Sequence, residues 1–117
     1  MDTREVAEAF TQLCKDKKYE DAEAQFWADD VVSIEAMPGE MSHLQGREAI
    51  KQKHAWWEQN FEVHSESVTG PMVNGDQFSV IYEMDVTQKD NGERSQMKEV
   101  ALYTVKDGKI VEERFFY

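Results

Sequence analysis

The spacing of hydrophobic and polar positions changes once along this chain, near Phe61. Before that point apolar residues recur every three or four positions, and after it they alternate. Val6, Phe10, Leu13 and Cys14 share one helical face, and Asp2 with Glu5 three residues on supplies a start signal. Tyr19, Ala22 and Phe26 repeat the spacing over a second short helix, after Lys17-Lys18. Val31 to Met37 predicts a strand because β-branched residues concentrate there, and Pro38-Gly39 stops it. Arg47 to Asn60 predicts a third helix, with Ile50, His54 and Trp57 at i, i+4 and i+7. From Phe61 onward, Asn74-Gly75, Asn91-Gly92 and Asp107-Gly108 are hairpin signals between extended segments near 61–73, 77–89, 94–105 and 109–117. Helices in front of an antiparallel meander define an α+β domain covering 1–117.

The last segment closes on Phe115-Phe116-Tyr117, and a terminal strand that aromatic is expected to be buried. Its apolar residues fall on both faces. Val100, Leu102 and Thr104 oppose Ala101, Tyr103 and Val105, while Ile110 and Phe116 oppose Val111, Phe115 and Tyr117. A sheet with one wet face alternates apolar and polar residues, so this one needs a cover on its outer side. The helices occupy the inner side. A second copy packed back to back is the simplest cover, and a homodimer is expected.

Charge narrows the partners. The chain of 117 residues carries 24 acidic side chains against 13 Lys plus Arg, a net −11. That field repels phosphate backbones and anionic lipid, so neither nucleic acid nor a membrane surface is an expected partner. The lone Cys14 excludes an internal disulfide framework and a Cys-based zinc site. His43, His54 and His64 show no metal-ligand spacing, and no metal or cofactor is expected. With no basic-then-apolar start and no apolar run near ~18 residues, a soluble cytoplasmic protein is the expectation.

Three short stretches carry a likeness. They are Ala28-Asp29-Asp30 before the first strand, Gly46-Arg47-Glu48-Ala49-Ile50 opening the third helix, and Asp107-Gly108-Lys109-Ile110-Val111 at the last hairpin. With the element order, they make the chain resemble the nuclear-transport-factor-2-like superfamily, in its SnoaL-like branch, over its whole length. The resemblance implies a cone: a curved sheet wrapping three N-terminal helices around an internal apolar cavity. Such members include ketosteroid isomerases, polyketide cyclases and scytalone dehydratase, together with binding modules that catalyse nothing. A pocket is therefore implied more directly than a reaction.

Glu35 is the first candidate for chemistry, since Val31, Ser33, Glu35 and Met37 alternate onto one face. In isomerase-type members the proton-shuttling aspartate follows the Asp-Asp pair by five residues, which lands on Glu35. A carboxylate facing an apolar cavity has its pKa lifted from about 4.3 toward ~6–7, suited to taking a carbon-bound proton. A solvated or salt-bridged glutamate is the alternative. Phe10 and Ala101 fall where those enzymes hold enolate-stabilising donors, and neither donates a hydrogen bond. The usual steroid-isomerase reaction is thus not expected, and Tyr82 or Tyr103 remain as donors.

His54 is turned toward the same interior by its spacing with Ile50 and Trp57, as a catalytic partner or as a half-buried histidine capped by a backbone carbonyl or paired with Glu58. Glu99 and Glu113 point inward on neighbouring strands, beside Tyr103 and Tyr117. They form either an acid pair or a rim feature neutralised by Lys98 or Lys109. Phe10, Met37, Trp57, Tyr82, Tyr103 and Tyr117 are candidate pocket walls for a small, largely apolar molecule, either aromatic or carbonyl-bearing. The Pro38–Gly46 loop, with Met41 and Leu44, is a candidate lid. Three functions remain open: a cofactor-free isomerase, cyclase or dehydratase using Glu35, a binder without turnover, and a dimerisation module.

Overall fold

A computed structural model describes residues 1–117. Helix α1 (Thr3–Lys15) starts where expected, because Asp2 and Glu5 each bond the other's backbone N–H, at 2.8 and 3.1 Å. Helix α2 (Tyr19–Phe26) runs directly into β1 (Trp27–Ile34), followed by β2 (His43–Gln45) and α3 (Arg47–Asn60). Strands β3 (Phe61–Asn74), β4 (Gln77–Gln88), β5 (Arg94–Lys106) and β6 (Lys109–Phe116) form the expected antiparallel meander. No helix is long and apolar enough to cross a membrane.

The sheet is larger than the meander. Its order is β2-β1-β6-β5-β4-β3, with β1 parallel to β6 and antiparallel to β2. The parallel pairing is long-range and leaves no hairpin signal, and a three-residue β2 is too short to show alternation. β1 also begins earlier than expected and ends at Ile34. Met37 therefore stands beyond it, 65% exposed.

The three helices lie on the inner face. Phe10 sits at the centre of this core, with its ring 4.9 Å from Tyr103, 6.0 Å from Phe78 and 6.3 Å from Phe26. Val6, Val31, Val80 and Ile110 complete it with no exposure. Two expectations about β6 are corrected. The register shifts between Thr104 and Val105, so that Val105 pairs with Ile110 and Thr104 with Glu112. That bulge leaves Val111 over and turns both Ile110 and Glu113 inward, where strict alternation had placed Val111. The terminal aromatics are also not buried within one chain: Phe115 is half-buried, while Phe116 and Tyr117 are 49% and 54% exposed.

Candidate functional site

Beyond the aromatic core, the inner face turns polar. Lys53, on the side of α3 that also carries Ile50, is a nearly buried ammonium. Its Nζ donates to Ser33 Oγ at 2.7 Å and to Glu35 Oε1 at 2.8 Å, and lies 5.2 Å from the centre of the Phe115 ring. Tyr117 closes the other side of Glu35, its hydroxyl donating to Oε2 at 3.1 Å. Each Glu35 oxygen thus already accepts a hydrogen bond.

Glu113 pairs across the sheet with Ser33 on one side and Tyr103 on the other. It is 3% exposed, and its Oε1 has no hydrogen-bond partner. Burial raises its pKa against the pull of Lys53 and His54. Glu99, opposite Tyr82, is pushed up to about 7, by burial first and then by the negative charge of Glu35, with Lys53 opposing. A carboxyl with that value changes protonation near neutral pH without any outside help.

His54 faces α2 rather than its own helix. Its Nδ1 lies 2.9 Å from Glu23 Oε1, and its ring centre is 5.7 Å from that of Trp27. Burial works against the imidazolium, but the Glu23 hydrogen bond and charge prevail and the His54 pKa rises. Neither Glu58 nor a backbone carbonyl is its partner here. Four carboxyls (Glu23, Glu35, Glu99 and Glu113) thus face two basic side chains (Lys53 and His54).

The structure brings Glu35, Glu99, Glu113 and Tyr117 together around Lys53 and places His54 next to them. Phe10, Tyr82 and Tyr103 lie in the core beneath, where the two tyrosine hydroxyls share a 2.8 Å hydrogen bond and Tyr82 donates to Cys14 Sγ at 3.7 Å. Trp57 stacks on Phe61 at 4.1 Å, and Met37 faces solvent, so neither joins the cluster. Glu66, Met84 and Met97 form one half-buried row across β3, β4 and β5, next to Glu99 on the same face. A surface groove of about 540 Å³ is lined by this row together with the flanking rows Ser65–Asp85–Gln96 and Ser67–Glu83–Lys98.

Sequence reasoning missed Glu23 and Lys53. The signal existed: Tyr19, Ala22, Glu23 and Phe26 fall on one helical face, as do Ile50, Lys53, His54 and Trp57. Each face holds one charged residue at an apolar position.

The SnoaL-like domain, as a family, matches residues 1–117. The chain belongs to this family. Among solved structures, a Mesorhizobium loti protein described as a candidate SnoaL-like polyketide cyclase is 52% identical, with TM-score 0.97 and 100% of both chains covered. A Jannaschia protein of the same description is 19% identical, with TM-score 0.74 and coverage of 92% of this chain and 82% of that one. A Catenulispora acidiphila protein with a ketosteroid-isomerase-like fold, solved with trimethylamine, is 20% identical, with TM-score 0.69 and coverage of 82% and 72%. At those lower identities the likeness speaks for the fold. No curated protein matches the chain.

Proposed function

We propose that this SnoaL-like domain binds a small aromatic or carbonyl-bearing molecule at the inner face, and moves a proton on it without a cofactor. Glu99 supports the reading best. It sits half-buried beside the open row of Glu66, Met84 and Met97, with a pKa of about 7. It therefore holds a proton for half of the time near neutral pH, and is placed to give or take one. Lys53 is the group that stabilises developing negative charge, through the one N–H that Ser33 and Glu35 leave over. Glu35 holds that ammonium in place, with Tyr117 fixing its second oxygen. The proton-carrying role expected of Glu35 thus passes to Glu99, because both Glu35 oxygens are engaged.

Binding without turnover is the second reading, and the Glu35–Lys53 pair favours it: a site whose charges are paired off orients a ligand without reacting. One experiment separates the two. Deuterium incorporation at the α-carbon of 1-tetralone and related ketones is followed by NMR, with saturable binding measured in the same samples. Exchange that rises through neutral pH in the native protein and disappears in Glu99→Gln supports proton transfer. Binding with no exchange leaves the binder, and neither binding nor exchange overturns both.

We also infer a homodimer through the outer face. Val100 and Phe116 pair across β5 and β6 and are 36% and 49% exposed, and Ile81 and Leu102 continue the patch half-buried. A patch that apolar on a chain of net −11 calls for a cover.

A further inference from the structure

A separate cavity of about 220 Å³ opens between the α1–α2 turn and the free edge of β3. Cys14, Lys15, Lys17 and Tyr19 line one side, and Glu66 to Val68 the other, so it shares only Glu66 with the inner-face row beside Glu99. Two features there have no use in the site already described. The Tyr19 hydroxyl is buried and has no hydrogen-bond partner, an arrangement that a fold rarely leaves unanswered. Two basic residues, Lys15 and Lys17, stand at the rim of the cavity in a strongly acidic chain. Lys15 is tied to the Gly70 carbonyl at 3.1 Å, and Lys17 projects from a left-handed residue at φ 60°.

Glu66 is the one acid of the lining. Burial raises its pKa, with Lys17 pulling it down, and it also faces Cys14 and Glu99. Protonated, it donates a hydrogen bond into the cavity. The floor is apolar: Val68, the Tyr19 ring, and the Cys14 thiol, whose burial pushes its pKa up to about 12 and keeps it uncharged.

We propose that this cavity is a second binding site, for a small organic carboxylate. Its carboxylate sits beside the Lys17 ammonium, and its apolar body lies over Cys14, Val68 and the Tyr19 ring. The sign follows from the rim, since an ammonium ligand would meet Lys15 and Lys17. Glu66 responds to the ligand. A carboxylate beside it favours its protonated form, so binding takes up a proton and weakens as pH rises through the folded pKa of Glu66.

Benzoate, benzyl alcohol and benzylamine serve as anionic, neutral and cationic probes in NMR titrations of the full chain. The expected result is benzoate tightest, by about tenfold over benzylamine, with amide shifts at Cys14–Tyr19 and Glu66–Val68. Lys17→Gly tests the charge without straining the backbone, because glycine accepts a positive φ freely, and it weakens benzoate about fivefold. Glu66→Gln flattens the pH dependence. Benzylamine binding tighter than benzoate, shifts centred on Lys53 and Glu113, or a Lys17→Gly variant that binds like the native chain would each overturn the proposal.

Discussion

Replacing Glu99 with glutamine stabilises the fold above neutral pH and leaves it unchanged in mild acid. Burial, with the charge of Glu35, carries the Glu99 carboxyl from 4.5 to about 7. The folded chain therefore holds this proton more tightly than the unfolded chain does. Below pH 4.5 both states carry the proton, and the group is neutral toward stability. As pH climbs to about 7 the unfolded chain releases its proton first, and the folded state loses ground. Each pH unit between the two values costs about 1.4 kcal/mol, so the loss reaches at most about 3 kcal/mol, less where solvent reaches this half-buried group. Glutamine matches the shape of the protonated acid and never ionises, so the variant escapes the loss. Urea unfolding at closely spaced pH values, from about 4 to 9, checks this. The two stability curves should coincide in acid and separate through neutrality, with the variant's urea midpoint higher by about 1 M at the alkaline end. Parallel curves would refute the reasoning, because Glu99 would then be equally solvated in both states. A variant that lost ground to the native chain as pH rose would mean that the Glu99 charge stabilises the fold.

Three further perturbations probe other parts of the structure. Lys53→Met keeps the shape of the side chain but strips the ammonium from Glu35 and Glu113. It costs about 3–5 kcal/mol in alkali and less as pH falls and Glu113 takes a proton, and a uniform loss under about 1 kcal/mol would show that the ammonium does not hold the cluster together. Phe10→Ala removes the ring at the centre of the core, 4% exposed, and lowers unfolding stability by about 3–5 kcal/mol in the same urea assay. Phe116→Glu puts a charge into the outer patch. Light scattering should show a dimer for the native chain and a monomer for the variant, with unfolding of the single chain little changed, whereas a native monomer would remove the argument for a covered face.

The fold was legible because its signals are local. The Asp2–Glu5 capping box, the helical spacing of Val6, Phe10 and Cys14, and three Asn-Gly or Asp-Gly turns each act within a few residues. What escaped was non-local or irregular. The parallel β1–β6 pairing joins residues far apart in sequence, and the bulge at Val111 shifts the facing of half a strand without a glycine to announce it. Glu113 was placed inward correctly all the same, because the bulge lies before it and Phe115 and Tyr117 keep step with it.

The site was half legible, for a different reason. Glu35, Glu99 and Glu113 were found because carboxylates stand out on alternating strands whose other inward residues are apolar. Lys53 and Glu23 sit on helices that are otherwise polar, where a charged residue is usually solvated. Only the neighbours at i+3 and i+4 mark them as inward. Both misses correspond to the partners that settle the chemistry: Glu23 directs His54 away from the centre, and Lys53 engages Glu35. A carboxylate found by sequence alone therefore identifies the location of a site before its role. Roles here depend on which cation each acid faces, and that is set by the packing of α2 and α3 against β1. Glu99 lacks such a partner at close range, and this is why the proposed function gives the mobile proton to Glu99 and the anchoring role to Glu35.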